Sequence, residues 1–82
     1  KMYIAYILKS AKDGRYYIGC TNNFPRRLAQ HNAGKVRSTK HRVPFEVVKI
    51  EEYITLSEAR TRENYIKSLK GGNQFKRMYI QT

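Results

Sequence analysis

The sequence predicts a mixed fold of strands and helices. Three short runs rich in aromatic and β-branched residues predict three strands, and three segments between helix start and stop signals predict three helices. At 82 residues the chain is long enough to bury one core. Because no internal repeat or low-complexity linker interrupts it, we expect a single domain over residues 1–82.

The first two strands are predicted to form a hairpin. Residues 3–8 are apolar or aromatic throughout, which is typical of a buried strand, and residues 15–19 form the returning strand. An Asp-Gly dipeptide at positions 13–14 favours a tight turn between them. In the register that this turn favours, Tyr6 and Tyr17 lie on one face of the sheet as diagonal neighbours, whereas a slip of one residue would separate them.

The first helix is predicted over residues 24–33 by its capping residues. Asn23 is a suitable N-cap, because its side-chain oxygen can accept an otherwise unpaired backbone N–H. Pro25 falls in the first turn, where its missing N–H has no cost. Gly34 follows at the position where a left-handed residue closes a helix.

On this helix two polar side chains flank the apolar stripe. Arg27 and His31 lie one turn apart beside Leu28, whereas Arg26 and Gln30 are expected to point away. An arginine beside a buried stripe needs a partner, and in so basic a chain a bound phosphate is a candidate. Alternatively, Arg27 extends along the edge of the core and His31 makes a structural hydrogen bond. The spacing leaves both interpretations open.

Next comes a basic segment and then a third strand. Residues 35–44 have no periodicity and many Lys and Arg, which predicts a loop. This loop is either a solvated connector or, as we favour, a phosphate-contacting segment. Residues 45–54 contain the β-branched side chains of a strand.

Two helices are predicted to complete the fold. Residues 55–58 match a capping box that begins a helix, and this helix should run to about Lys70 before Gly71 and Gly72 end it. A short third helix is expected over residues 73–80. The side chains expected to pack against the core are Ala59, Ile66 and Leu69 from the former helix and Phe75, Met78 and Tyr79 from the latter.

The charge balance indicates a polyanionic partner. The chain has 17 Lys and Arg against 6 Asp and Glu, a net charge of +11. This favours a nucleic acid first and an acidic membrane surface second. The longest apolar run is too short to span a bilayer and no secretory signal is apparent, so we expect a cytoplasmic protein without a membrane partner. The single cysteine, Cys20, excludes an internal disulfide and a cysteine-based zinc cluster.

The scarcity of acids makes one of them informative. Glu63 is the only acid expected inside a helix at the margin of the core. It either forms an ion pair, with Arg60 or Lys67 as the nearest basic residues, or is a ligand for a hard cation. The ion pair is the commoner outcome for a glutamate in a helix.

Four features in chain order resemble a known family. They are the tripeptides Ile-Ala-Tyr at 4–6 and Tyr-Ile-Gly at 17–19, the spacing of Arg27 and His31, and the helical Glu63. This ordered set resembles the GIY-YIG endonuclease domain over nearly the whole chain. It is similar to the small stand-alone domains of that family, which are related to the N-terminal nuclease domain of an excision-repair endonuclease.

Two further stretches, residues 39–46 and 67–72, resemble the same group. Ala5 departs from the family pattern, in which Gly is usual, but alanine is small enough for the strand geometry to be kept. The resemblance implies an α/β fold of the α+β type, with a three-stranded antiparallel sheet flanked by helices. It also implies metal-dependent cleavage of DNA phosphodiester bonds.

The resemblance also implies roles for individual residues. Glu63 would hold one divalent cation, Mg²⁺ or Mn²⁺. Tyr6 would be the general base for the attacking water or would position it, and Tyr17 would help to orient water or phosphate. Arg27 would bind the scissile phosphate, and His31 would support Tyr6 or relay its proton. A tyrosine with a pKa of about 10 is a poor base until nearby cations lower that pKa, which a metal together with Arg27 would do.

Three hypotheses for the function follow. The leading one is a metal-dependent DNA endonuclease, and the second is a nucleic-acid-binding module that keeps the site without cleaving productively alone. A basic membrane-surface protein is disfavoured, because no clear amphipathic basic helix is present. No additional DNA-binding domain is predicted, which favours activity that is weak or depends on a protein partner supplying specificity. The basic side chains expected to contact DNA are Arg26, Lys35, Arg37, Lys40, His41, Arg42 and Lys67.

Overall fold

Three strands and three helices make up the fold, as the sequence predicts. The computed structural model describes residues 2–70 and 72–79. In chain order the elements are β1 (Tyr3–Ser10), β2 (Tyr16–Thr21), α1 (Phe24–Asn32), β3 (Phe45–Tyr53), α2 (Leu56–Leu69) and α3 (Asn73–Tyr79). The sheet has the order β2-β1-β3 and both pairings are antiparallel. The prediction of an α+β fold with a three-stranded antiparallel sheet flanked by helices is therefore confirmed.

The register of the hairpin agrees with the sequence expectation. Tyr6 pairs with Gly19 and Leu8 pairs with Tyr17, so Tyr6 and Tyr17 are diagonal neighbours on one face of the sheet. Their ring centroids are 6.3 Å apart. Gly14 takes a positive φ of 72° in the connection, which is the conformation that glycine adopts without strain.

Each face of the sheet buries its own apolar cluster. On the face that carries Tyr6, the side chains of Ile4 and Leu8 pack with Phe24 and Leu28 of α1. On the opposite face Ile7 and Ile18 pack with Ile66 of α2 and Phe75 of α3. The sheet therefore lies between α1 on one side and the pair α2 and α3 on the other, and β2 has one free edge.

The helix caps follow the sequence signals. The Asn23 side chain accepts from the backbone N–H of Arg26, and the capping box joins Thr55 to Glu58 in both directions. Gly34 has a φ of +73° just after α1, as expected of a closing glycine. Helices α1 and α2 and strand β3 each end one residue earlier than expected. Differences of one or two residues are common at the ends of helices and strands.

The packing of α2 and α3 is partly as expected. Ala59, Ile66 and Phe75 are buried and Leu69 packs against them. Met78 is 40% exposed, so the prediction that it packs against the core is wrong. The short α3 places only Phe75 against the sheet among residues 73–78. The expectations for Gly71, Ile80 and the side chain of Tyr79 lie outside the described residues.

The basic segment between α1 and β3 is not a solvated connector. It contains a 3₁₀ turn at Lys40–Arg42 and buries Thr39 completely. The Asn32 side chain accepts from the backbone N–H of Phe45 at 2.7 Å, and the buried Ser10 hydroxyl donates to the Arg42 carbonyl at 2.5 Å. Side-chain hydrogen bonds thus fix the segment to α1 and to β1, which periodicity does not reveal.

Candidate active site

The site lies where the ring of Tyr6 crosses the backbone of Gly19. A Cβ atom on Gly19 would lie 2.5 Å from the Tyr6 hydroxyl oxygen and 2.6 Å from Cζ of the same ring. Any larger residue would therefore displace the ring, since real Cβ atoms do not approach so closely. The glycine of the Tyr-Ile-Gly tripeptide leaves room for the Tyr6 hydroxyl above strand β2.

Tyr6 begins a buried chain of hydrogen bonds. Its hydroxyl lies 3.0 Å from Nε2 of His31, and Nδ1 of His31 lies 2.9 Å from the hydroxyl of Thr39. Tyr6 is 1% exposed, and His31 and Thr39 are fully buried. Helix α1 thus aims His31 at the sheet, so the structural hydrogen bond that the spacing left open for His31 is present.

Burial shifts the pKa values of both groups. It raises the pKa of Tyr6 to about 12, against the lowering effect of Arg27, and the nearby Tyr17 and Glu63 add to the rise. It lowers the pKa of His31 to about 4, and the positive charge of Arg27 acts in the same direction. Near neutral pH Tyr6 is therefore a phenol and His31 an uncharged imidazole. The expectation that Arg27 helps to lower the pKa of Tyr6 holds in direction, but burial outweighs it.

Arg27 lies beside the two tyrosines. The Tyr6 phenol is the largest influence on the Arg27 guanidinium and raises its pKa, and Tyr17 acts in the same direction. Arg27 also donates to Oε1 of Gln30 at 3.4 Å. The prediction that Gln30 points away is therefore wrong: Gln30 is partly buried, whereas Arg26 is exposed as expected. The guanidinium faces the hydroxyl groups, where it presents donors to an incoming anion.

Glu63 lies on α2. Its negative charge contributes to the raised pKa values of Tyr6 and Cys20. Oε2 of Glu63 lies 2.8 Å from Nζ of Lys67, and the Glu63 side chain is 17% exposed. Of the two alternatives, the ion pair with Lys67 is therefore observed. No group of three His, Cys, Asp or Glu side chains that could hold a metal occurs among residues 2–70 and 72–79.

Cys20 lies on β2 next to the site but is not activated. Burial is the main cause of a raised pKa for its thiol, and the Glu63 carboxylate adds to the rise. A raised pKa disfavours the thiolate, which is the nucleophilic form. We therefore assign Cys20 no chemical role.

Most of the side chains expected to contact DNA are free to do so. Arg26, Lys35, Arg37, Lys40, His41 and Lys67 are all exposed. Arg42 differs, because its guanidinium forms an ion pair with Asp13 at 3.1 Å, donates to the Tyr16 carbonyl at 3.4 Å and lies over the Phe45 ring. Arg42 thus holds the basic segment against the hairpin.

Sequence reasoning missed two members of the site. Gly19 carries a signal, since glycine inside a strand often marks the close approach of another group. Thr39 carries none, because it stands among exposed basic residues and nothing in its neighbourhood predicts a buried hydroxyl. Only the folding of the segment onto α1 brings Thr39 to His31.

Comparison with known proteins agrees with this arrangement. The family model described as the GIY-YIG catalytic domain matches residues 2–77. The chain belongs to the GIY-YIG family. This is a family of nucleases, and its members generally use divalent metals.

Two relatives are similar to this chain in sequence and one solved structure is similar in fold. A UPF0213 protein of Oceanobacillus iheyensis is 37% identical over 82 residues, covering 99% of this chain and 94% of the relative. A UPF0213 protein of Natronomonas pharaonis is 43% identical over 65 residues, covering 78% of this chain and 75% of the relative. The solution NMR structure of a UPF0213 protein from Bacillus halodurans has a TM-score of 0.50 and 31% identity, and the match covers 100% of this chain and 99% of that one. None of the helices in residues 2–70 and 72–79 has the length and hydropathy needed to cross a bilayer.

Proposed function

We propose that this domain hydrolyses DNA phosphodiester bonds with the help of a divalent cation. The observation that supports it best is the Tyr6 hydroxyl above Gly19, with the Tyr17 ring 6.3 Å from the Tyr6 ring, where the charges of Arg27 and Glu63 both act on the Tyr6 phenol. Phenol, guanidinium and carboxylate groups are the donors and acceptors needed to hold a phosphate, a water molecule and a cation together. These residues lie far apart in the sequence, and only the fold brings them together.

The protonation state of each side chain determines its role in the proposed reaction. Arg27 keeps its positive charge and offers planar N–H donors to the scissile phosphate, whose charge grows as the bond breaks. Tyr6 keeps its proton, because its pKa is about 12, and donates it toward His31. The lone pairs of the Tyr6 oxygen are then available to accept from a water molecule. In this arrangement Tyr6 positions the attacking water, and Tyr17 supports water or phosphate from the neighbouring strand.

Glu63 is the residue that would hold the cation. Mg²⁺ or Mn²⁺ needs only one or two protein carboxylates, because it keeps several waters and takes oxygen ligands from phosphate. A single partly buried carboxylate fits this requirement, and Lys67 would have to leave it. When bound, the cation supplies Lewis acidity and lowers the pKa of its water.

The proposal extends to the cellular role. The exposed basic side chains support DNA as the partner. We propose a cytoplasmic protein that acts in DNA repair or recombination, in which residues 1–82 form a single domain. We also propose that a protein partner supplies specificity for the substrate.

A binding module without cleavage is the second candidate, and one contact favours it. The Lys67 ammonium lies 2.8 Å from the Glu63 carboxylate and supplies the positive charge that a cation would bring. If this ion pair persisted in the presence of Mg²⁺, DNA would be bound but not cut.

Replacement of Glu63 distinguishes the two functions. Glu63→Gln keeps the shape of the side chain but removes the charge that attracts Mg²⁺. We expect cleavage of duplex, flap and branched DNA to fall to background, while DNA affinity stays the same or rises. Glu46→Gln is the matched control, since Glu46 is an exposed acid on β3 and its replacement changes the net charge equally. That variant should cut DNA at the wild-type rate.

Two results would contradict these assignments. Undiminished cleavage by Glu63→Gln would show that the carboxylate is not a metal ligand. The absence of cleavage by the wild-type protein on every substrate, with binding intact, would favour the binding module. An ion pair on the helix surface without a catalytic role would cost under about 1 kcal/mol of stability when removed.

A further inference from the structure

We propose that Thr39 is a positioning residue, whose hydroxyl fixes the tautomer of His31 and thereby the direction in which the Tyr6 hydroxyl donates. The inference rests on the proposed nuclease function for its catalytic consequence. Its structural part, the protonation of one particular ring nitrogen, can be measured without any activity.

The directions of the hydrogen bonds follow from the donor inventory. The Thr39 hydroxyl has one proton, which it donates to the carbonyl of Val36 at 3.5 Å, so toward His31 it is an acceptor. Nδ1 of His31, 2.9 Å from that hydroxyl, therefore carries the proton of the neutral imidazole. Nε2 is then an acceptor, and the Tyr6 hydroxyl at 3.0 Å donates to it.

Thr39 is the group that completes this order. Nδ1–H of His31 donates to the Thr39 hydroxyl oxygen at 2.9 Å, and the Thr39 hydroxyl in turn lies 3.5 Å from the carbonyl of Val36. Every donor in the chain of hydrogen bonds from Tyr6 to Val36 therefore points away from the site. All buried side-chain polar atoms among the described residues have a partner, in agreement with this complete order.

The order matters for the proposed chemistry. With Nε2 as an acceptor, the Tyr6 hydroxyl donates inward and its remaining lone pair faces the site, where it can accept from water. With the proton on Nε2 instead, two donors would face each other at 3.0 Å. Tyr6 would have to turn its proton toward the site and could no longer accept from water.

Thr39 also links this chain to the expected DNA-contacting surface. Its backbone N–H donates to the Val36 carbonyl at 3.0 Å, and its carbonyl accepts from Arg42 at 2.9 Å. The side chains immediately before and after it, Ser38 and Lys40, are exposed. The buried hydroxyl of Thr39 thus lies between exposed side chains that we expect to face a DNA backbone.

The first measurement is the tautomer of His31 in the wild-type chain. Ring ¹⁵N chemical shifts near neutral pH should show Nδ1 protonated and Nε2 unprotonated. Thr39→Val removes the hydroxyl while keeping the size of the side chain, and it should move the proton to Nε2. Thr39→Ser keeps a hydroxyl and should restore the wild-type tautomer. A wild-type imidazole protonated on Nε2 would overturn the proposal, whether or not Thr39→Val folds.

The second measurement is the rate of DNA cleavage. Partners that fix the orientation of a histidine typically contribute ~10–100-fold, so we expect a loss of kcat of that size in Thr39→Val with KM for DNA unchanged. Thr39→Ser should recover most of the rate. Thr61→Val, the same replacement at an exposed threonine of α2, is the matched control and should match wild type.

The outcomes separate this inference from the proposed function. A changed tautomer together with an unchanged kcat in Thr39→Val would overturn the positioning role while leaving the nuclease function in place. If the wild-type protein cleaves no DNA, the nuclease function fails. The ring nitrogen spectra of wild type and Thr39→Val would then still decide whether Thr39 sets the tautomer.

Discussion

Gly19 shows how a single missing side chain can determine a site. Its φ is not positive, so backbone conformation does not require glycine. The requirement is spatial, because the Tyr6 hydroxyl lies 2.5 Å from the position of a Cβ. Tyr6 is buried and hydrogen-bonded to His31, so its ring cannot move aside easily.

We therefore expect Gly19→Ala to damage both stability and cleavage. Inserting atoms into a packed region costs ~1–3 kcal/mol, and the displaced hydroxyl would lose its alignment with His31. Urea unfolding gives the free energy of unfolding, and cleavage assays give the rate. Gly14→Asn is the control, since a Cβ on Gly14 meets nothing within 4 Å and asparagine tolerates a positive φ. Wild-type cleavage by Gly19→Ala would show that the ring can move without consequence.

His31 makes the stability of the protein depend on pH. Its pKa is about 4 in the folded protein, below its ordinary 6.5, because burial disfavours the charged ring. Between these values the unfolded chain binds more protons than the folded one. The stability that the neutral His31 ring contributes is therefore fully present above pH 6.5 and is lost as the pH falls toward 4. At about 1.36 kcal/mol per pKa unit the full loss is roughly 3 kcal/mol.

The test is the free energy of unfolding at pH 7 and pH 5, a range above that in which most carboxylates titrate. We expect the wild type to lose about 2 kcal/mol over this interval. His41→Gln, which removes the exposed second histidine, should show the same loss. His31→Gln should show much less. Equal stability of the wild type at the two pH values would contradict the burial of a neutral imidazole.

At the scale of elements, the strands and helices follow from local signals. The Asn23 cap, the Thr55 capping box and the Asp-Gly turn are short-range hydrogen-bond and steric preferences, and all three are present in the structure. The caps and the turn could be predicted because each depends on residues close together in the sequence. The packing of α1 and α2 on opposite faces of the sheet depends on contacts between distant residues, and the sequence did not predict it.

The segment between α1 and β3 shows where such prediction fails. Its fixed course depends on contacts between residues far apart in the chain, such as Ser10 with Arg42 and Asn32 with Phe45. No periodicity or composition encodes these pairs. The same reason explains why Arg27 and His31 could be singled out on α1, whereas the partner of His31, Thr39, could not.

The electrostatics of the site depend on the whole fold as well. The family resemblance implies that a metal together with Arg27 lowers the pKa of Tyr6. It does not show how completely β1 would be covered, and burial turns the net shift upward to about 12. The balance between burial and a neighbouring charge is a property of packing. The raised pKa supports the proposal that Tyr6 positions the attacking water.

At the scale of the whole molecule, charge dominates the expected association with DNA. The chain carries a net charge of +11. Its exposed cationic side chains on α1 and on the basic segment include Arg26, Lys35, Arg37 and Lys40. Arg42 and Lys67 are excluded from this set, because Asp13 and the Tyr16 carbonyl hold the Arg42 guanidinium and Glu63 forms an ion pair with Lys67. The exposed side chains are free to replace the counterions that surround DNA phosphates.

We expect the affinity for duplex DNA to fall steeply with salt. Four phosphate contacts would give a slope of about −3.6 in log K against log salt concentration, a loss of roughly 150-fold between 50 and 200 mM salt. Lys40→Ala should reduce the magnitude of the slope by about 1, because it removes one such contact. Lys9→Ala is the matched control: it removes the same charge from β1, where Lys9 lies near the Tyr16 ring on the face opposite Tyr6, and it should leave the slope unchanged. The measurement is a series of fluorescence anisotropy titrations without Mg²⁺, so that cleavage cannot interfere. An affinity that stays constant over this range of salt would refute the electrostatic account of DNA binding.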